Sequence, residues 1–392
     1  MNFGKTVFSQ LMDQIDPNEF RRVVRQQNKS HRKYRFSCWE QFLCMAFAQL
    51  TYRESLRDIE SCLRSLGPKL YHSGIRSTVC RSTLAHANEH RSWKIYQELA
   101  LALIAKAQRL YRDDPFVADL DSAVYAFDST IIKLCLELFP WARAANHQAT
   151  CAGVKLHTLL DVQSNIPVFA RVTAANVGDL RILDELVYEA GAFYVLDRGY
   201  TGFTSLKRID NAGAFFVIRA KRDLRFSRVY SHAKSKIGNV RVDQTITLVV
   251  PRSREEYPDQ LRRIKVFDAE NNCSLVFLTN NFVLDALTVA ELYRLRWKIE
   301  LFFKWIKQHL RIKAFYGTTP NAVSTQIWIA LSVYVLVAIV KKELSLEQSL
   351  YTILQILSIA LFEKEPISQV LTTVETIIES CPSHNQLSLF NL

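Results

Sequence analysis

Two aspartates fall at one kind of place. Asp128 follows the strand-like run AVYAF and Asp197 follows AFYVL. In an open α/β sheet, catalytic groups gather beyond the carboxyl ends of the strands, so the two acids read as one shared carboxylate site. A third acid lies on a helical stretch, ELYRLRWKIELFFKWIKQHL. With Arg296 as zero and about 100° per residue, Glu300 falls at about 40°, Lys307 at about 20° and Tyr293 at about 60°. An ordinary i,i+4 pair needs only two of these groups, and here four polar side chains share one stripe. Asp128, Asp197 and Glu300 would give a hard cation its oxygen ligands. No His or Cys cluster competes, which argues against zinc. Arg296 can grip a phosphate with two N–H groups, Lys307 can act as a point charge, and Tyr293 can donate to a phosphate oxygen. Trp297, about 100° off the stripe, reads as a core aromatic rather than a base-stacking platform. His147 and His157 read as structural histidines.

The elements that must position these groups are legible as patterns. Strands are expected at 123–127, 150–162, 166–173, 192–196 and 214–220, with helices at 180–190 and 201–212. That order implies a mixed sheet covered by helices, of α+β or α/β class. Strands at 245–250, 263–267 and 274–279 look like a β-rich insertion spanning about 221–284. One long helix then runs from Leu287 to about Lys313. The first 115 residues read as helical. Glu40–Leu50 forms one helix, a Thr51-x-x-Glu54 capping box opens the next, Gly67-Pro68 ends it, and a third starts near Ser82. Such a group of short helices with basic flanks fits a helix-turn-helix DNA-binding region. The segmentation is 1–115, then 120–342 as the sheet domain, then 343–392 as a helical tail suited to dimerisation.

Tyr293, Arg296, Glu300 and Lys307 reproduce the Tyr-x2-Arg-x3-Glu-x6-Lys spacing of insertion-sequence transposases of the IS-four type, in the DDE, RNase-H-like superfamily. FDST around Asp128, GVKLH at 153–157 and LDRGY around Asp197 resemble that family too, over roughly residues 120–340. The segment STLAHANEHR is similar to the DNA-binding region of one subgroup. The resemblance implies an RNase-H-like fold, with the β insertion before the catalytic helix. It implies Asp128, Asp197 and Glu300 as catalytic metal ligands, and Tyr293, Arg296 and Lys307 as DNA-binding residues. Cleavage and strand transfer are displacements at phosphorus, in which two Mg²⁺ ions (Mn²⁺ able to substitute) activate the attacking oxygen and stabilise the leaving one. The partners implied are double-stranded DNA, as terminal inverted repeats and target, and a second copy of the chain. The dimer would bring two ends together, with a hairpin intermediate among the pathways.

Charge supports a polyanionic partner. The 392 residues carry 50 Lys+Arg against 38 Asp+Glu, a net charge of +12. Residues 219–265 hold thirteen basic residues against five acids, while 343–392 reverse the sign with six Glu and one Lys. Arg21, Arg22, Arg25, Lys29, Arg32, Lys33 and Arg35 form one basic block. Arg219, Lys221, Arg222, Arg225 and Arg228 form another, and both are suited to phosphate contact. Eight Cys without a CxxC pair, and a start without an apolar signal core, fit a reducing cytoplasm; the family resemblance implies a bacterial one, with the protein at the nucleoid. Asn321–Val340 is uncharged and long enough to span a bilayer, but reads as a buried core helix. Three rival readings stand beside this one: a DNA-binding protein that has lost catalysis, a nuclease of the same fold that only hydrolyses, and a single-span membrane protein.

Overall fold

The computed structural model describes residues 4–27, 35–76, 78–112, 120, 122–142, 152–232, 239–269, 272–309 and 315–372. The chain forms two compact units: Met1–Leu110 with Ile306–Leu392, and Tyr111–Trp305.

The first unit is helical, beginning with α1 (Val7–Met12), α2 (Pro17–Gln27), α3 (Cys38–Leu50), α4 (Leu56–Leu66), α5 (Lys69–His72), α6 (Arg81–His90) and α7 (Lys94–Tyr111). Ser37 and Glu40 form a capping box at the start of α3, and nearly every residue of that helix is buried. The capping box expected at Thr51 and Glu54 is displaced. The Thr51 hydroxyl donates to Phe47 O (2.7 Å) at the end of α3. Ser55 instead caps α4 by accepting from Asp58 N (3.1 Å), and the Asp58 carboxylate accepts from Glu54 N (3.1 Å). The motif is thus four positions along, with Asp in the acidic role. Gly67 ends α4 with φ +48°, a left-handed turn that glycine takes without strain.

The second unit holds β1 (Val124–Leu134), β2 (Ala152–Asp161), β3 (Pro167–Ala174), α8 (Asp179–Leu183), β4 (Phe193–Leu196), α9 (Phe203–Asn211) and β5 (Phe215–Arg219). It continues with β6 (Phe226–Ser231), β7 (Val240–Leu248), α10 (Pro251–Glu256), β8 (Leu261–Asp268), β9 (Cys273–Thr279), α11 (Ala286–Leu295) and the start of α12 (Trp297–His309). The strands form one sheet in the order β3-β2-β1-β4-β5-β9-β8-β7-β6. β1, β4 and β5 run parallel, and β2 runs against β1 and β3. That five-strand order is RNase-H-like. The β insertion is not a separate body, because β9 pairs antiparallel with β5 and so extends the same sheet. β4 is buried along its whole length, which is why it reads as a continuous apolar run. β6, almost wholly exposed at the sheet edge, gives no such signal.

Two expected helices change shape. The 180–190 helix stops at Leu183, where Leu183 O accepts from the Tyr188 hydroxyl (2.7 Å). The long helix is two helices meeting at Arg296. Arg296 N bonds Tyr293 O (3.1 Å) and Ile299 N bonds Arg296 O (3.2 Å), i→i−3 bonds that tighten the turn.

Within α12 the chain enters the helical unit, which also holds α13 (Pro320–Glu343) and α14 (Leu350–Ala360). α13 packs against α1, α3, α6 and α14. It is buried on every side from Thr325 to Val340. The one described helix long and apolar enough to cross a membrane is therefore the core of its own unit. The compact units thus cut the chain differently from the sequence segmentation. α13 groups with the N-terminal helices and not with the sheet, because burying an all-round apolar helix takes neighbours on all sides.

Candidate active site

Strand register brings the two aspartates level. Phe127 pairs with Leu196 across β1 and β4, and there the pairing stops. Asp128 and Asp197 come next, each the residue after that last pair, on neighbouring parallel strands. Asp128 does not end its strand, as the sequence pattern suggested. β1 continues to Leu134 against β2, so Asp128 is held on one side while the other side opens where β4 turns away.

Asp128 Oδ1 accepts from Ser129 N (2.8 Å) and from the Tyr200 hydroxyl (3.2 Å). Its Oδ2 lies 3.5 Å from Arg296 Nη1. Burial raises the Asp128 pKa, with the Ser129 N–H and Arg296 pulling the other way. Burial likewise raises Tyr200, which stays a donor at neutral pH. Asp197 opens a single turn, Arg198–Tyr200, and accepts from the Tyr293 hydroxyl (3.2 Å). Burial, against Arg296 and with Asp197, pushes Tyr293 up to about 12, so it too keeps its proton.

Glu300, in the first turn of α12, accepts from Arg296 Nη2. Burial of Arg296 works against its charge, but Glu300, Tyr293 and Asp197 outweigh it and raise its pKa. One guanidinium thus joins Asp128 to Glu300. Its Nε is buried with no hydrogen-bond partner among the described residues.

Of the six residues singled out in the sequence, five are gathered here. Lys307 lies further along α12, in the part that belongs to the helical unit. Trp297 is a correction: it is 59% exposed and not in the core. His147, Lys29, Arg32 and Lys33 lie outside the described residues. His157 is wholly buried between Thr173 Oγ1 (2.9 Å) and Asp179 (3.3 Å), as a structural histidine should be.

A supporting cluster escaped the sequence reading. Asp179 accepts from Ser129 Oγ (2.7 Å) and sits 3.2 Å from Lys155 Nζ. Burial opposes its charge, but His157, Ser129 and Lys155 hold its pKa down at about 2. The alternation of Lys155 and His157 in GVKLH puts both on one face of β2, the one available signal.

A family model described as a transposase DDE domain matches residues 119–336. The chain belongs to the DDE transposase family. A putative transposase, y4zB, of Sinorhizobium fredii is 30% identical over 291 residues, 73% of this chain and 79% of its own length. A probable transposase for insertion sequence element IS5377 of Geobacillus stearothermophilus is 28% identical over 257 residues, 65% of this chain and 66% of its own. A cryo-EM structure of a piggyBac transposase synaptic complex with hairpin DNA covers 97% of this chain and 81% of its own. Its TM-score is 0.44 at 10% identity, a slight likeness. Residues 3–76 match a domain of unknown function.

The chain is thus a transposase of the insertion-sequence kind, whose DDE domain depends on divalent metal. The donor chemistry fits such an ion: the acids offer only oxygen, and Asp128 is a desolvated carboxylate beside a second one. Among the described residues no three acid, His or Cys side chains form a ready metal cluster. Arg296, between Asp128 and Glu300, supplies the positive charge there.

Proposed function

We propose that Asp128, Asp197 and Glu300 are the catalytic carboxylates of an IS-four-type transposase that cuts and joins double-stranded DNA with Mg²⁺. The register that sets Asp128 beside Asp197, with Glu300 tied in through Arg296, carries this reading. Bound to the carboxylates, two Mg²⁺ would supply activation of an attacking oxygen and stabilisation of the leaving one. The protein residues do the positioning. Tyr200 and the Ser129 N–H orient Asp128, and Tyr293 orients Asp197. Arg296 can release its carboxylates and turn its fork to a DNA phosphate, with Lys307 as a further phosphate contact.

The helical N-terminal region would bind the terminal inverted repeats. The element would move by cut-and-paste in a bacterial cytoplasm, with two copies of the chain joining two ends. Asp128→Ala with Glu300→Ala tests the assignment, using a labelled transposon end, a target plasmid and Mg²⁺. Loss of both cleavage and end transfer is expected, with DNA binding retained. Cleavage that survives the double substitution refutes the residue assignment. Cleavage by the unaltered protein without end transfer would make it a hydrolytic nuclease.

A further inference from the structure

A cavity of about 350 Å³ in the sheet unit is lined by six cations: Arg198, Arg219, Lys221, Arg222, Arg263 and Lys265. Among the described residues no carboxylate lines it. Among the described residues none of the six has an ion-pair partner, and Arg198 Nε is buried without any hydrogen-bond partner. Arg262, the neighbour of Arg263 on the other face of β8, shows the contrast. It is buried and doubly bonded to Asp243 at 2.9 and 2.7 Å. The buried cations of the sheet unit, Lys155 and Arg262, are matched by Asp179 and Asp243, whereas those in the cleft are left for an anion from outside. Among the described residues Arg263 meets Gln244 Oε1 (3.2 Å) and the Phe226 ring (4.8 Å).

Position links the cleft to the candidate active site. Leu196 pairs with Ile218, so Arg219 at the end of β5 is level with Asp197 on β4, and Arg198 is the residue after Asp197. From there the cations cross β9 to Arg263 and Lys265 on β8, which pair with Leu278 and Val276. The volume falls in the range of small-molecule pockets, about 300–1,000 Å³. That suits a nucleotide of one strand, not the width of a duplex. Leu224, Phe226 and Val276 give the cleft apolar wall. A cationic track with an aromatic beside it is the pattern by which single strands are held.

We infer that this cleft binds the phosphodiester backbone of a single DNA strand extending from the Asp197 side of the active site, without divalent metal. The choice of a phosphodiester rests on the DNA reading above. The test uses the full chain in EDTA, with a short labelled single strand and a duplex of the same sequence. Lys221→Ala with Lys265→Ala removes two contacts. Lys221→Ala with Arg222→Ala, both exposed, repeats the test should the first pair impair folding. Lys364→Ala, an exposed residue of the helical unit, is the control.

The slope of log affinity against log salt for the single strand should become shallower by about 1.4, two contacts at about 0.7 each. The duplex slope should match the control. A single-strand slope equal to the control overturns the inference, and so does a loss on the duplex that equals or exceeds the loss on the single strand. The Asp128→Ala, Glu300→Ala protein separates the two proposals, since failure of the catalytic assignment leaves this slope change intact.

Discussion

Arg296 poses a sharp question, because it stands where a metal's charge would be needed. Its guanidinium contacts Asp128 and Glu300, with side chains 15%, 21% and 34% exposed. A divalent ion must displace it from at least one carboxylate. A hydrogen bond to a charged group contributes about 1.5–3 kcal/mol. With Glu300 a third exposed, solvent screening cuts the Glu300 contact well below that, so releasing the arginine should cost about 1–2 kcal/mol. Arg296→Met keeps the stem and removes the competing charge. It should tighten Mn²⁺ binding by about 5–30-fold, while DNA cleavage falls because the phosphate fork is gone. Titration of free Mn²⁺ by electron paramagnetic resonance reads the first effect, and a labelled-end assay reads the second. Circular dichroism checks that the variant is folded. Unchanged or weaker Mn²⁺ binding in a folded variant would refute the idea that Arg296 competes with metal.

Three further outcomes follow from the packing and charge. Asp179 has its pKa lowered from 3.8 to about 2, so its ionic contacts contribute fully above about pH 4 and are lost as pH falls toward 2. The stability gap between the natural protein and Asp179→Asn should therefore narrow between pH 4 and 2 in urea titrations, and a constant gap would count against that network. Arg262→Met strands Asp243 in the sheet and should cost about 3–5 kcal/mol, with much of it regained in Arg262→Met, Asp243→Leu; chemical denaturation measures both, and no regain would show that the pair is not the cause. Trp328→Ala, at 1% exposure on α13, should cost about 3–5 kcal/mol in the same assay; a loss below about 1 kcal/mol would mean that α13 is not closely packed.

The candidate site was legible where its geometry is local. The stripe of Tyr293, Arg296 and Glu300 needs only helical periodicity, and it survives the tightened turn at Arg296 because the backbone there stays in the helical region (φ −52°, ψ −30°). Asp197 ends a fully buried strand, whose apolar run marks its own boundary. The rest depends on pairing between distant segments. Asp128 lies in mid-strand, and it joins the candidate site only because β4 leaves β1 at Leu196, a fact of register that no local pattern carries. Asp179 and Ser129, fifty positions apart, meet for the same reason. α13 shows the reverse limit. Its apolar length is plain in the sequence, but composition cannot distinguish lipid from the helices α1, α3, α6 and α14 that surround it, since either partner satisfies the same side chains. The cationic cleft was half visible, as a basic run at 219–228. Arg198 and Lys265 join it from elsewhere in the chain, and only the folded sheet separates these unpaired cations from Arg262, whose charge Asp243 has already met.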